Sequence, residues 1–515
     1  MNNFNGGAST PDHGKQIKNA VMACLLLAAL YVVVAFVSRD KAEFLVALGV
    51  AMLAGYALFR SPDMATLVFL FVLYTNLAVI AIQFHGVPQI VGAGVSLLLA
   101  LPFANYIILQ RERMIFDQTF VLLLIYLAAL VASSILAINM KFAIEGIVNF
   151  VTEGLILYFL VVNVVRTLPA LRRAMWVVLL ACGFLGSLSL LQELTGNYEN
   201  SFGGLAQRIA DVDSGDVDFE EFSGSRRAYG PLGSQNRYAQ ILVVILPFSL
   251  CFSFTEQSPR AKLLAVGAGL LAFGGLILTF SRGAFVTIAG MVFIVMVLGY
   301  IKPHKLIPAA IAGFVLLGLM MPEYVARVST VGAVGSLLSN NTEGSREADG
   351  SLRGRYAESM AAFNVFFEHP IVGVGPGQFF RYYSQKYGND IGTKRLAKGR
   401  RAHNLYLEIA ADTGALGIGT FLAIVFILIK RHWKLFRELR QRRPELAHYA
   451  AAFVVGLCGY LGSGMFLHLS YQRYYWLLIA LAGAAYRIIR IESMTEATDD
   501  EQAEEPLAQR QIVYN

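Results

Sequence analysis

Long apolar runs separated by short polar connectors fill most of this chain. A hydrocarbon core of roughly 30 Å is crossed by about 20 residues at 1.5 Å each, so each run of about 17 to 25 apolar residues predicts one spanning α-helix. About fourteen such runs are present, near 19–37, 42–59, 64–84, 88–109, 118–138, 146–165, 172–194, 237–254, 261–280, 283–300, 305–321, 405–429, 447–467 and 474–490. Two of them, 283–300 and 305–321, are short, so the expected number of transmembrane helices is 12–14. The predicted fold class is an all-α polytopic membrane protein. Two polar stretches are too long to be simple turns. They divide the chain into an N-terminal segment (1–18), helices one to seven (19–194), a first loop (195–236), helices eight to eleven (237–321), a large second loop (322–404), the last three helices (405–490) and a polar tail (491–515).

Composition strengthens this picture. Of 515 residues, 56% are hydrophobic and only 15% charged, and mean hydropathy is +0.56. A soluble domain of this length has no use for so much apolar surface. The net charge of +7 is not a nucleic-acid signal, because its distribution follows the connectors. Alternate connectors hold Arg111 and Arg113; Arg166, Arg172 and Arg173; Arg260 and Lys262; Lys302 and Lys305; and the run "KRHWKLFRELRQRRPE". The intervening ones hold Arg39 and Lys41, then His85, then Lys141. The positive-inside rule therefore predicts cytoplasmic termini and puts both long loops outside. The tail "TEATDDEQAEEPLAQRQ" reads as acidic and disordered. No cleavable signal peptide is expected, since a polar stretch precedes a first run long enough to remain as a span. Cys24, Cys182, Cys251 and Cys458 all fall in apolar runs and read as small buried hydrophobes. No short-period repeat is visible, and an inverted repeat of the transporter kind stays open.

The two long loops carry the candidate chemistry, as long loops among short connectors usually do. The first holds an acidic stretch, "DVDSGDVDFEE", followed by "GSRRAYGPLGSQNRYAQ". In the second, "SLRGRYAESMAAFNVFFEHP" has helical apolar spacing at Met360, Phe363, Phe366 and Phe367 and stops before Pro370. The glycine turn "IVGVGPGQF" follows. No Lys-Ser/Thr completes a phosphate loop, so a tight turn packing the helix onto the membrane surface is expected. A basic stretch, "KRLAKGRRAHN", then leads His403 into the next span.

Four segments, in order, resemble the bacterial O-antigen ligase and O-antigen or exopolysaccharide polymerase superfamily. In "HNLYLEIAADTGALG", His403 and Asn404 are followed after nine residues by Gly414 and Gly417. "TFSRGAFVTI" matches an arginine followed after three residues by leucine, with Arg282 in place and Val286 standing for the leucine. "GRYAESMAAFNVFFEHPIVGVGPGQF" and "RRAYGPLGSQNRYAQILVVILPF" resemble the family's arginine, helix and Gly-Val-Gly stretch and its arginine and glycine stretch before a span. Together they cover roughly 225–425; the N-terminal third matches only in being spans.

The resemblance implies a GT-C-like helical bundle with one large periplasmic loop, in the inner membrane of a bacterium with the site facing the periplasm. It implies transfer of a glycan from undecaprenyl diphosphate to a hydroxyl of lipid A core or of a growing glycan, with neither cofactor nor metal. A lipid diphosphate leaving group needs fixed cations, and arginine's planar fork suits phosphate oxygens. An attacking hydroxyl needs a base, which a neutral histidine supplies. His403, Arg282 and Arg355 are the expected catalytic residues. Arg226, Arg227, Arg237, Arg353, Asn404 and Glu408 are expected to bind substrate, with no rule to choose among Arg226, Arg227 and Arg237. Glu408 and Asp412 lie one helical turn apart and are read as orienting His403 or pairing an arginine, unless both simply sit at the wet end of the span. Gly414, Gly417 and Gly419 are expected to allow close helix packing. The blander alternatives are an interfacial anchor for His403 and a snorkelling side chain for Arg282. A flippase or other transporter, or a scaffold, are the competing functions. Transporters place their charges near the bilayer midplane, whereas here charges cluster in an outer loop and at outer span ends.

Overall fold

The computed structural model describes residues 62–88, 97–207, 227–302, 350–386, 401–469 and 471–511, with single positions at 95, 304 and 308. The spans expected near 19–37, 42–59 and 305–321 lie outside the described residues. So do the acidic stretch 211–221, Arg226, and the basic residues 394–400. Among the described residues every regular element is helical, and the only strand-like feature is an isolated antiparallel bridge between Gln207 and Gly230.

The helices, in chain order, are α1 (Pro62–Tyr74), α2 (Leu77–His85), α3 (Leu97–Ala104), α4 (Gln118–Ser134), α5 (Met140–Phe150, continued through a π-turn by Leu157–Val164), α6 (Leu168–Thr195), α7 (Gln235–Thr255), α8 (Pro259–Ile277), α9 (Arg282–Val297), α10 (Gly350–Glu368), α11 (Phe379–Lys386), α12 (Leu405–Leu439), α13 (Pro444–Gly464) and α14 (Gln472–Gln511). Six of them, α5, α6, α7, α8, α12 and α13, are long and apolar enough to cross a membrane, and α1 with α2 makes a seventh if counted as one span. Helices α3, α4 and α9 are apolar but shorter.

Three departures from the sequence reading have local causes. The run 64–84 is not one straight helix: α1 and α2 bend by 57°. Asn76 takes φ 61 at the break, a left-handed conformation asparagine tolerates better than most residues. Its Nδ2 donates to Pro231 O at 2.8 Å and its Oδ1 accepts from Arg473 at 2.6 Å. Second, α12 does not stop at the basic run but continues to Leu439, since no glycine or proline interrupts "KRHWKLFREL". Third, α14 extends past its apolar run to Gln511, as the Ala, Glu and Gln content there favours.

Close packing rests on small residues. A Cβ on Gly186 would sit 2.1 Å from the carbonyl oxygen of Leu271, so α6 and α8 touch backbone to backbone. Of the free cysteines described, Cys182 and Cys251 are buried as expected, whereas Cys458 is only half-buried. One end of the bundle collects the basic connectors: Arg172 pairs with Glu256, Arg166 with Glu112, and Tyr300 meets His448 at 2.6 Å. The other end collects the loops of interest, where Ser281 Oγ donates to Asn236 Oδ1 at 2.9 Å and Asn404 Nδ2 to Met465 O at 3.4 Å.

The described part of the second loop, 350–386, is a folded cap on α12. Its helix, α10, ends at Glu368, just before Pro370 as read. The packed face is the small one: Ala361, Ala362 and Val365 join Val374, Phe379, Tyr383, Ala402 and Ala411 in a separate core. Met360, Phe363 and Phe367 are exposed instead, because their bulk would keep α10 from approaching α12. The glycine turn then enters a break in α12. Gly414 has φ 62 and ψ −164 within that helix. Ala415 N donates to Pro370 O at 2.8 Å and Leu416 N to Ile371 O at 3.2 Å, while Val374 N and Gly375 N donate to the carbonyls of Ala411 and Asp412 at 3.0 and 2.9 Å. The Asp412 carboxylate accepts from Gly377 N at 2.9 Å and Phe379 N at 2.8 Å, which caps α11. The stretch is thus a tight turn, seated on the broken helix.

Candidate functional site

His403 occupies the residue before the N-cap of α12. Asn404 is that cap: its Oδ1 accepts from Tyr406 N and Leu407 N at 3.0 and 3.1 Å. The backbone at His403 has φ 47, the left-handed region. A non-glycine residue held there marks a segment fixed by its surroundings and is worth a functional hypothesis. The surroundings are specific. Arg401 donates through Nε to Glu408 Oε1 at 2.8 Å and Ala402 N to Glu408 Oε2 at 3.0 Å. Ser359 Oγ on α10 donates to Ala402 O at 3.3 Å. The ring itself has Nδ1 at 2.7 Å from Glu358 Oε2 and 3.1 Å from Arg401 O. Glu358 is fully buried. The His468 ring stands edge-on to the His403 ring at 5.6 Å, and the guanidinium of the buried Arg237 donates to His468 O.

Arg282 is the first residue of α9, behind the N-cap Ser281, whose Oγ accepts from Ala284 N at 3.4 Å. A helix start adds unsatisfied N–H groups and the positive end of the macrodipole to the arginine's charge. A Cβ on the next residue, Gly283, would meet the Phe466 ring at 3.0 Å, so α9 begins against the segment between Met465 and His468. Arg227 reaches the same turn: its Nε donates to Thr279 O at 3.0 Å and Ala228 N to Leu278 O at 2.9 Å. The bridge Gln207–Gly230 draws the ends of the first loop together behind it.

Arg355 of α10 faces these elements across a cleft lined by Asn236, Gln240, Ser281, Gly283, Ser463, Phe466 and Leu467. Its Nε is buried with no hydrogen-bond partner among the described residues. The cleft thus brings Arg355 to the residues on either side of Arg282, while Met465–His468 joins it to His403. Arg237 follows Asn236 in α7, and Arg227 bonds to Thr279, two residues before Ser281, so both belong to the same end. Arg353 is in the first turn of α10. Arg226 is outside the described residues.

Glu408 and Asn404 have structural duties at this end. Glu408 pairs an arginine, Arg401, and fixes the loop before His403. Asn404 is occupied in capping α12 and in its bond to Met465 O. Of the three glycines read as packing residues, Gly414 is the backbone break, and Gly419 has nothing within 4 Å of its Cβ position. Burial holds the Tyr382 phenol above its usual range, helped by its hydrogen bond to Glu368, which keeps it a donor to Glu368 Oε2 at 2.7 Å. No three His, Cys, Asp or Glu converge as a metal site among the described residues.

Sequence reading missed Glu358, His468 and Arg401. Glu358 had a usable signal, since it lies three residues after Arg355 and shares a helix face with it. His468 had none, because its contact with His403 is made only by the packing of α13 on α12.

The fold and site define a multi-pass helical membrane protein with a capped cleft, lined by Arg355 and the neighbours of Arg282, near a carboxylate-backed histidine at one end. Residues 267–422 match the family model Wzy_C, described as O-Antigen ligase. That segment is similar to the O-antigen ligase family, the resemblance that its motifs carried. The matched segment runs from α8 into α12 and contains Arg282, Arg353, Arg355, Glu358, His403, Asn404 and Glu408; Arg227 and Arg237 precede it. No curated protein matches the chain.

Proposed function

We propose that this protein is a glycosyltransferase that moves a glycan from undecaprenyl diphosphate to a hydroxyl acceptor on the periplasmic face of the inner membrane. The acceptor is lipid A core or the end of a growing glycan. The observation that carries the reading is His403, held in a left-handed conformation with a buried carboxylate on Nδ1, beside a cleft that joins Arg355 to the helix start bearing Arg282. In this reading His403 takes the hydroxyl proton as the oxygen attacks the anomeric carbon. The new C–O bond forms as the bond to the diphosphate oxygen breaks, and its electron pair leaves with the lipid diphosphate. Arg282, Arg355, Arg227 and Arg237 set positive charge around that leaving group, with Arg226 and Arg353 as further phosphate contacts. Asn404 and Glu408 serve by holding the histidine loop.

Two features support the placement. The site lies at the end of the bundle away from the basic connectors, which is the outer end by the positive-inside rule. The exposed face of α10, with Tyr356, Met360, Phe363 and Phe367, continues into exposed Ile371 and Leu416, an apolar surface suited to the leaflet that carries a polyprenyl tail.

The test is transfer from a synthetic lipid-diphosphate glycan in detergent, with lipid A core or free glycan as acceptor. His403→Ala is expected to lower turnover by about 10²–10⁴-fold, the usual weight of a general base. Unfolding temperature should hold, and EDTA should leave the wild type active because arginines carry the needed charge. Near-normal turnover in a folded His403→Ala protein leaves His403 an interfacial anchor.

A further inference from the structure

The two ring nitrogens of His403 are not equivalent. Nδ1 faces the Glu358 carboxylate at 2.7 Å and the Arg401 carbonyl at 3.1 Å. A carbonyl only accepts, and so does an ionised carboxylate. A proton on Nδ1 satisfies both, and a lone pair there satisfies neither. We infer that Glu358 is a positioning residue that holds His403 in the Nδ1–H tautomer, so that Nε2 is the nitrogen that accepts the proton of the attacking hydroxyl. This rests on His403 being the base.

The placement of Glu358 agrees with such a role. It is wholly buried on α10, and a carboxylate so placed requires a partner. A second bond, Ser359 Oγ to Ala402 O, ties α10 to the same three-residue segment. Among the described residues, Glu408 binds Arg401 and Ala402 N, and Arg237 binds the carbonyl of His468, whose ring meets His403 edge-on. Glu358 is therefore the carboxylate that faces the imidazole. When the hydroxyl's O–H bond breaks and its proton passes to Nε2, the imidazolium gains a carboxylate at hydrogen-bond distance in a buried setting, where opposite charges attract more strongly than in water. The electron pair of the broken anomeric bond departs with the diphosphate, and the proton on Nε2 returns to water before the next cycle. The cap thus contributes to the reaction through Glu358 as well as through Arg355.

The experiment has two readouts on the full-length protein. In nanodiscs, ¹⁵N spectra of histidine-labelled protein, with His403 assigned by its loss in His403→Ala, are expected to show Nδ1 protonated and Nε2 bare. In Glu358→Gln the amide can donate to Nδ1, and the ring is expected to move toward the opposite tautomer. In transfer assays Glu358→Gln is expected to lower kcat by about 10²–10⁴-fold, as loss of an orienting carboxylate does in other base–carboxylate pairs, with KM for the donor within about twofold. Glu358→Asp, which keeps the charge, is expected to recover at least about tenfold of that loss. An Nε2–H tautomer in the wild type overturns the inference, as does Glu358→Gln turnover close to wild type. The spectrum of the wild type decides the matter even if the Glu358 variants fail to fold. Transfer surviving in His403→Ala would instead overturn the base assignment, a separate outcome from either.

Discussion

Arg282 stands at the first position of α9, where a fixed positive charge coincides with the open N–H groups of a helix start. Lysine there keeps the charge and loses the planar pair of donors that fits a phosphate oxygen pair. Arg282→Lys is therefore expected to lower kcat/KM by about 10²–10³-fold, the usual loss on removing one electrostatic stabiliser. The measurement is the same transfer assay, with unchanged elution on size exclusion as the control; activity within a few-fold of wild type removes Arg282 from the reaction. At this scale the sequence was informative about residue types that stand out from their background. A histidine and several arginines beside apolar runs are conspicuous, and the cleft gathers Arg355 and the flanks of Arg282. Glu358 was illegible because one glutamate on a mixed helix is ordinary until tertiary packing buries it. Glu408 was half legible: a carboxylate near the mouth of a span needs a partner, but which arginine answers it, Arg401, depends on how the chain turns at His403.

Among the elements, α12 shows what periodicity cannot reveal. Its apolar pattern runs unbroken through Gly414, yet the helix opens there and binds the turn from Pro370 to Gly377. The position needs glycine twice over, for φ 62 and because a Cβ would lie 2.3 Å from the carbonyl carbon of Ile371. Gly414→Ala is expected to destabilise the protein by at least about 1–3 kcal/mol through backbone strain alone, read as a lower unfolding temperature and earlier proteolysis of the cap. Gly419→Ala, with open space around it, is expected to leave both unchanged. Equal effects from the two substitutions would mean that the break does not hold the cap. The bend at Asn76 was legible only as an asparagine inside an apolar run. By contrast, the starts of α6, α7, α8 and α13 fell within a few residues of the sequence reading, since each follows a polar connector and proline sits in the first turn of α6, α8 and α13.

Over the whole molecule, basic connectors gather at one end and the histidine and arginine cleft at the other. If the cleft faces the periplasm, cysteine at exposed Gln385 reacts with a membrane-impermeant thiol reagent in intact spheroplasts and cysteine at exposed Gln441 does not, in a background lacking the native cysteines. The reverse labelling puts His403 on the cytoplasmic side, away from the proposed donor. The joint between cap and α12 also bears on how the chain is built. Residues 370–377 leave the ribosome before α12 does. A helix that enters hydrocarbon with its backbone open at Gly414 exposes groups whose desolvation costs several kcal/mol each, and their partners are the carbonyls of Pro370 and Ile371 and the amides of Val374 and Gly375. If the cleft faces the periplasm, the cap is exported first and is waiting at the membrane when α12 arrives, so that the helix inserts as the second half of a joint whose first half has already crossed.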